Sequence, residues 1–192
     1  MALFPTPDLL SEFRSRVRGG RVVDLGCGDR KSDDAFGVDL VHSPHVDLVH
    51  DLNIAPWPLE TEEFDALILN HVIEHLADIS ATIGECARLL KPGGRLWIAT
   101  PHFSDVSSWA DPTHRHHLAL RSFEPFYAGP GTQFRLERAY QRLNGRWRNI
   151  GYEKWINRGH KEDRLSRAAR RWEDKHCFVR RGGEMCFVLV RR

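Results

Sequence analysis

The chain is poor in several features that would mark a class on their own. Its four cysteines, Cys27, Cys86, Cys177 and Cys186, stand far apart with no C-x-x-C pair. That spacing excludes a zinc knuckle and a disulfide scaffold, and it suits a reducing compartment. No apolar run approaches eighteen residues, so no membrane-spanning helix and no membrane partner are expected. Met1 to Ser11 lack the basic start and apolar centre of a secretion signal, which points to a cytoplasmic protein. Internal repeats and low-complexity tracts are also missing.

What is present is ordinary globular material with an uneven charge. A chain of 192 residues, 41% hydrophobic and 28% charged, is expected to fold as one domain around one sizeable core. The net charge is +2, but residues 144–181 hold twelve Lys/Arg against five Asp/Glu. This basic insert has two readings: a surface for RNA or an acidic partner, or a solvated arginine-rich helix. The second is the simpler.

The element pattern alternates strand and helix. Val22-Val23-Asp24-Leu25-Gly26-Cys27-Gly28 reads as a short buried strand, an acid near its end, and a glycine turn that a ligand can approach closely. Before it, Leu9, Leu10, Phe13 and Val17 predict a lead-in helix within residues 1–20, capped by Asp8. After Gly28 only six residues precede the next apolar strand, Ala35 to Leu40, too few for an ordinary β-α-β crossover. Asp39, near the end of that strand, is a carboxylate able to accept both hydroxyls of a ribose, although eleven residues is a compressed spacing. Val46 to His50 predicts a third strand, and Phe64 to Leu69 a central one that delivers Asn70 and His71 to the same edge. Ile79, Ile83, Cys86 and Leu90 predict a helix stopped by Lys91-Pro92-Gly93-Gly94, with glycine as its cap. Leu96 to Ala99 predicts a fifth strand. Phe134 to Leu143 and Met185 to Val190 predict two closing strands, with a helix near 161–175 between them.

In this order the motifs Val23-Asp24-Leu25-Gly26-Cys27-Gly28, Gly37-Val38-Asp39, His50-Asp51-Leu52-Asn53, Phe64-Asp65, Asn70-His71-Val72-Ile73-Glu74-His75-Leu76 and Leu90-Lys91-Pro92-Gly93-Gly94 run across residues 21–101. Together they resemble class I S-adenosylmethionine-dependent methyltransferases, of the small bacterial ubiquinone-biosynthesis-like type. The resemblance implies an α/β, Rossmann-like sheet of seven mostly parallel strands with an antiparallel last strand. It implies S-adenosylmethionine as cofactor and S-adenosylhomocysteine as product. Asp24, Leu25, Gly26, Cys27 and Gly28 would lie under the methionine part, Asp39 and Leu40 at the ribose, Asp51 and Leu52 at the adenine, and Asn70 and His71 near the sulfonium. The shortened first crossover departs from the family, and Arg30 or Lys31 would stand in for the missing helix dipole.

Residues 102–120 form a histidine-rich loop where the family presents its acceptor substrate. An oxygen or nitrogen acceptor often needs its proton removed, and a histidine near its ordinary pKa of about 6.5 suits that task. His102 and His114 are the candidates, with Asp111 as an orienting carboxylate; a purely structural loop is the competing reading for His114. Glu74 and His75 are expected to fix their loop rather than to do chemistry. His102, Asp105, Asp111, His114 and His116 offer a mixed ligand set, but the spacing matches no metal motif, so no metal is expected. The expected partner is a small-molecule acceptor. Asn70 is followed by His71-Val72 rather than by the Asn-Pro-Pro-Tyr of amino-methylating nucleic-acid enzymes, which disfavours nucleic acid without excluding it. A cofactor-binding module without catalysis is the third reading.

Overall fold

The computed structural model describes residues 8–29, 31, 34–144, 147, 151–160 and 163–192. Arg30 and parts of the lead-in and basic segments fall outside them. Seven strands form one sheet: β1 (Val22–Leu25), β2 (Ala35–Asp39), β3 (Leu48–Val49), β4 (Phe64–Asn70), β5 (Leu90–Pro101), β6 (Phe134–Leu143) and β7 (Gly182–Arg191). Their order is β3-β2-β1-β4-β5-β7-β6. The first five run parallel, and β7 is antiparallel to both neighbours. This is the expected architecture, including the turned-back last strand.

Period-two alternation divides the core between two faces. Leu67, Leu69, Leu96, Ile98, Phe187 and Leu189 enter one apolar cluster. Ala66, Ile68, Trp97, Ala99, Cys186 and Val188 enter the other. Helix α1 (Leu9–Arg16) covers the second face with Leu9 and Phe13, and Asp8 caps it by accepting from the Ser11 N–H at 3.0 Å. Helix α2 (Ile79–Leu89) covers the first face with Ile83, Cys86 and Ala87, capped by Asp78 on the Ala81 N–H at 2.9 Å. Residues 26–34 contain no helix among the described residues.

Two expectations need correction. Lys91-Pro92-Gly93-Gly94 does not cap α2. Leu90 already pairs with Phe64, and the next pair joins Ala66 to Arg95, so these four residues loop out of β5 with Gly93 at φ +81°. The proline and glycines make a strand irregularity, a role open to the same residue types. Nor is the basic insert a solvated helix. After the short α3 (Ser107–Ala110) and α4 (Glu124–Tyr127), helices α5 (Tyr152–Ile156) and α6 (Arg167–Lys175) bury Ile156, Ala169 and Trp172 in the main core. Glu153 accepts from the Tyr140 hydroxyl at 2.7 Å and the Leu143 N–H at 2.6 Å, tying α5 to β6. Glu173 accepts from the Leu120 N–H at 2.6 Å and Arg121 Nε at 2.9 Å, tying α6 to the loop after β5. Arg170 pairs with Glu124 at 2.5 Å, and Arg180 lies over Tyr152 and Trp147. Among the described residues no helix is long and apolar enough to cross a membrane.

Trp172 is fully buried, so Trp172→Ala is expected to cost about 3–5 kcal/mol in urea unfolding. A loss under about 1 kcal/mol, the typical single-mutation cost, would show that α6 is not part of the core.

Candidate functional site

Because β1, β2 and β4 run in one direction, their carboxyl ends share an edge, the place where open α/β sheets bind ligands. Asp24 is only 4% exposed and forms an ion pair with Arg14 of α1 at 3.1 Å. Burial pushes its carboxyl up to about 6, against the opposing pull of Arg14. The turn after β1 has Gly26 at φ +69° and Gly28 at φ +53°, which glycine tolerates without strain. A Cβ on Gly26 would come within 2.4 Å of Val72, whereas nothing lies within 4 Å of one on Gly28. Gly28 therefore opens onto free space. Its N–H donates to Asp39 at 2.9 Å, and the Val41 N–H donates to the other Asp39 oxygen at 3.0 Å. One carboxylate thus joins the glycine turn to the end of β2.

The neighbouring residues are placed as follows. Leu25 and Cys27 are buried, with burial and then the Asp24 charge pushing the Cys27 thiol up to about 11. Leu40 is exposed beside Asp39. Lys31 donates to Asp47 at 2.5 Å and to the Ala35 carbonyl at 3.1 Å, so it braces the β2–β3 loop. Asp51 accepts from the Asn53 N–H and side-chain amide, both at 2.9 Å, and the buried Leu52 offers its carbonyl to the Trp57 indole at 3.0 Å. Asn70 ends β4, its side-chain oxygen 3.5 Å from the Trp97 indole.

Next to this edge lies an open pocket of about 630 Å³ lined by His71, Glu74, His75, Pro101, Asp111 and His114, among others. His71, in the left-handed region at φ +58°, donates its N–H to the Ala99 carbonyl at 2.9 Å. Its ring is 3.0 Å from Glu184 and 3.4 Å from Glu74, and these carboxylates raise its pKa to about 9. A single 3-10 turn, Ile73–His75, then sets Glu74 and His75 side by side. The His114 ring bonds the Ser108 carbonyl through Nδ1 at 3.0 Å, and it sits edge-on to His75 with centroids 4.6 Å apart.

Residues 23–98 match the protein family described as "Methyltransferase domain". Over those residues the chain is similar to that family. It is 32% identical over 129 residues to a probable S-adenosylmethionine-dependent methyltransferase of Mycolicibacterium smegmatis, covering 54% of this chain and 48% of that protein. It is also 32% identical over 108 residues to the ubiquinone biosynthesis O-methyltransferase of Xylella fastidiosa, covering 45% of this chain and 44% of that one. The chain therefore spans about half the length of the curated relatives it matches. In fold it is similar to a SAM-dependent methyltransferase from Archaeoglobus fulgidus, with a TM-score of 0.61 at 14% identity over 95% of this chain and 91% of that one.

In the loop beyond the matched residues, the two candidate histidines part company. His102 is fully buried between Phe103 and Trp172, with its ring nitrogens 2.8 Å from Ser104 and 3.3 Å from Glu173. It does not line the pocket, and a residue that is sealed in cannot meet an acceptor. His114 does line it. Asp111 faces both pocket histidines: one oxygen accepts from the Thr113 hydroxyl at 2.6 Å, which lies 3.0 Å from His75 Nδ1, and the other is 4.0 Å from His114 Nε2. Arg14 and Glu184 carried no local signal in the sequence, since each meets its site partner only through sheet packing. Glu74 did carry one, an acid beside a histidine at a strand end, but not its burial.

The raised Asp24 pKa makes ionisation there unfavourable to folding. Its folded value, about 6, lies above the ordinary 3.8, so the penalty is absent below pH 3.8 and complete above pH 6. Asp24→Asn is expected to unfold at higher urea than wild type at pH 7.5, with the gap narrowing toward pH 4. A gap independent of pH would show that the carboxyl is not held in a dry site.

Proposed function

We propose that the chain, as a single domain acting in the cytoplasm, transfers a methyl group from S-adenosylmethionine to an oxygen or nitrogen atom of a small-molecule acceptor. The observation that carries this reading is the joining of two unlike halves at one sheet edge. One half is an acid-and-glycine cradle at the ends of β1 and β2, and the other is an open, histidine-lined pocket at the end of β4. The open space over Gly28 and the half-buried Asp39 beside exposed Leu40 suit a nucleoside-sized ligand.

In this reading Asp24, Leu25, Gly26, Cys27 and Gly28 hold the methionine part of the donor, Asp39 and Leu40 the ribose, and Asp51 and Leu52 the adenine. Asn70 and His71 stand at the sulfonium end. The bound donor supplies an electrophilic methyl group. Of the cations near this edge, Arg14 is paired with Asp24 and Lys31 with Asp47. On the acceptor side His114 leaves Nε2 toward the pocket, the atom that would take the acceptor's proton. The relative named as an O-methyltransferase favours oxygen as the acceptor atom. Four thiols, all buried and unpaired, agree with a reducing compartment.

Asp39→Ala is expected to lower affinity for S-adenosylmethionine at least tenfold in calorimetry while unfolding stays cooperative. Unchanged affinity would remove Asp39 from the donor site. No heat from the wild-type protein with either S-adenosylmethionine or S-adenosylhomocysteine would overturn the proposed function itself.

A further inference from the structure

The pocket beside the donor edge contains a buried carboxylate whose pairing within the protein is incomplete. Glu74 is 1% exposed, and neither of its carboxylate oxygens has a hydrogen-bond partner. A buried carboxylate left in that state is costly, and such groups are usually paired or bound to metal. One of its oxygens is ion-paired with the His71 ring at 3.4 Å in poor hydrogen-bond geometry, and His114 Nε2 stands 3.9 Å from the same oxygen.

The two histidines that share this corner are oriented from behind. His114 Nδ1 lies 3.0 Å from the Ser108 carbonyl, which can only accept, so Nδ1 carries the proton and Nε2 keeps a bare lone pair. The Thr113 hydroxyl gives its hydrogen to Asp111 and therefore accepts from His75 Nδ1, which leaves the His75 Nε2 lone pair bare as well. A carbonyl behind one imidazole and a carboxylate-backed hydroxyl behind the other form the kind of outer layer that holds metal-binding histidines in position. Glu74, His75 and His114 each bring one ligand atom within 4.8 Å of the others.

We infer that Glu74, His75 and His114 form a binding site for a divalent first-row transition ion of the zinc type, opening onto the acceptor pocket. Two imidazoles and a carboxylate select such an ion over magnesium or calcium, which take oxygen ligands. Three protein ligands leave coordination positions free, as in catalytic rather than structural sites. This inference deepens the function proposed above and rests on it for the ion's role, which is to hold an acceptor hydroxyl and make it more acidic. The hydroxyl proton leaves to water through the open mouth of the pocket. The oxygen then bonds to the methyl carbon, and the donor sulfur keeps the electron pair of the broken C–S bond. With the ion in place His114 is a ligand, and its part as a base applies only to the metal-free protein.

The test uses the full chain after dialysis against a chelator. Co²⁺ is titrated with visible absorption as the readout, followed by displacement with Zn²⁺ in calorimetry, with no donor present. One equivalent is expected to bind with a Kd at or below the micromolar range, and Mg²⁺ is expected not to compete. Glu74→Gln and His114→Ala should each weaken binding at least tenfold. Because Glu74 is buried, His75→Ala provides a third variant should the first not fold. Absence of stoichiometric uptake, or equal affinity in the folded variants, would overturn the site. A parallel titration with S-adenosylmethionine keeps the two proposals apart. Donor binding without metal binding removes only this inference, and metal binding without donor binding removes only the methyl-transfer reading.

Discussion

The parallel register of β2, β1 and β4 is the constraint on which everything else depends. Asp24 pairs across to Gly37 and Ile68, so the tips of three strands end level with one another. Polar groups that are distant in sequence then meet where the sheet stops. Had β1 been an edge strand, Asp24 could not lie dry between two neighbours, and the glycine turn would have no second strand end to bond. The Asp39 carboxylate makes that join explicit by holding the Gly28 peptide.

Antiparallel β7 adds what parallel strands cannot. It enters the sheet from the functional edge, so its early residue Glu184, opposite Pro101, stands beside His71 from the end of β4. Parallel strands contribute only their last residues to this edge, whereas the reversed strand contributes one of its first. The result is a row in which His71 has carboxylates on two sides, one buried and one partly exposed. The raised His71 pKa follows from that placement and not from any property of its own segment.

The segment between β6 and β7 shows how composition can mislead. Its excess of arginine describes the surface, while Trp172, Ile156 and Ala169 decide the packing. Glu153 and Glu173, two of its few acids, turn inward to hold β6 and the loop after β5. Through Glu173 the same helix immobilises His102 and Arg121. The loop that borders the histidine-lined pocket is therefore anchored from behind by an element whose composition suggests a surface feature.

By itself the sequence determined the strands, their apolar alternation, the lead-in helix with its Asp8 cap, and the acids and glycines at the carboxyl edge of the sheet. These follow from local rules: period, propensity and the demand of a positive φ for glycine. The family resemblance over residues 21–101 is legible for the same reason, since its motifs are strand ends in a set order. Tertiary structure alone decided which side chains face one another. It sealed His102 in, gave Lys31 to Asp47, brought Arg14 to Asp24, and buried Glu74 among His71, His75 and His114. Burial and pairing across a sheet depend on distances that chain spacing does not encode. Thus the identity of the edge could be read in advance, but the division of its residues between structure and chemistry could not.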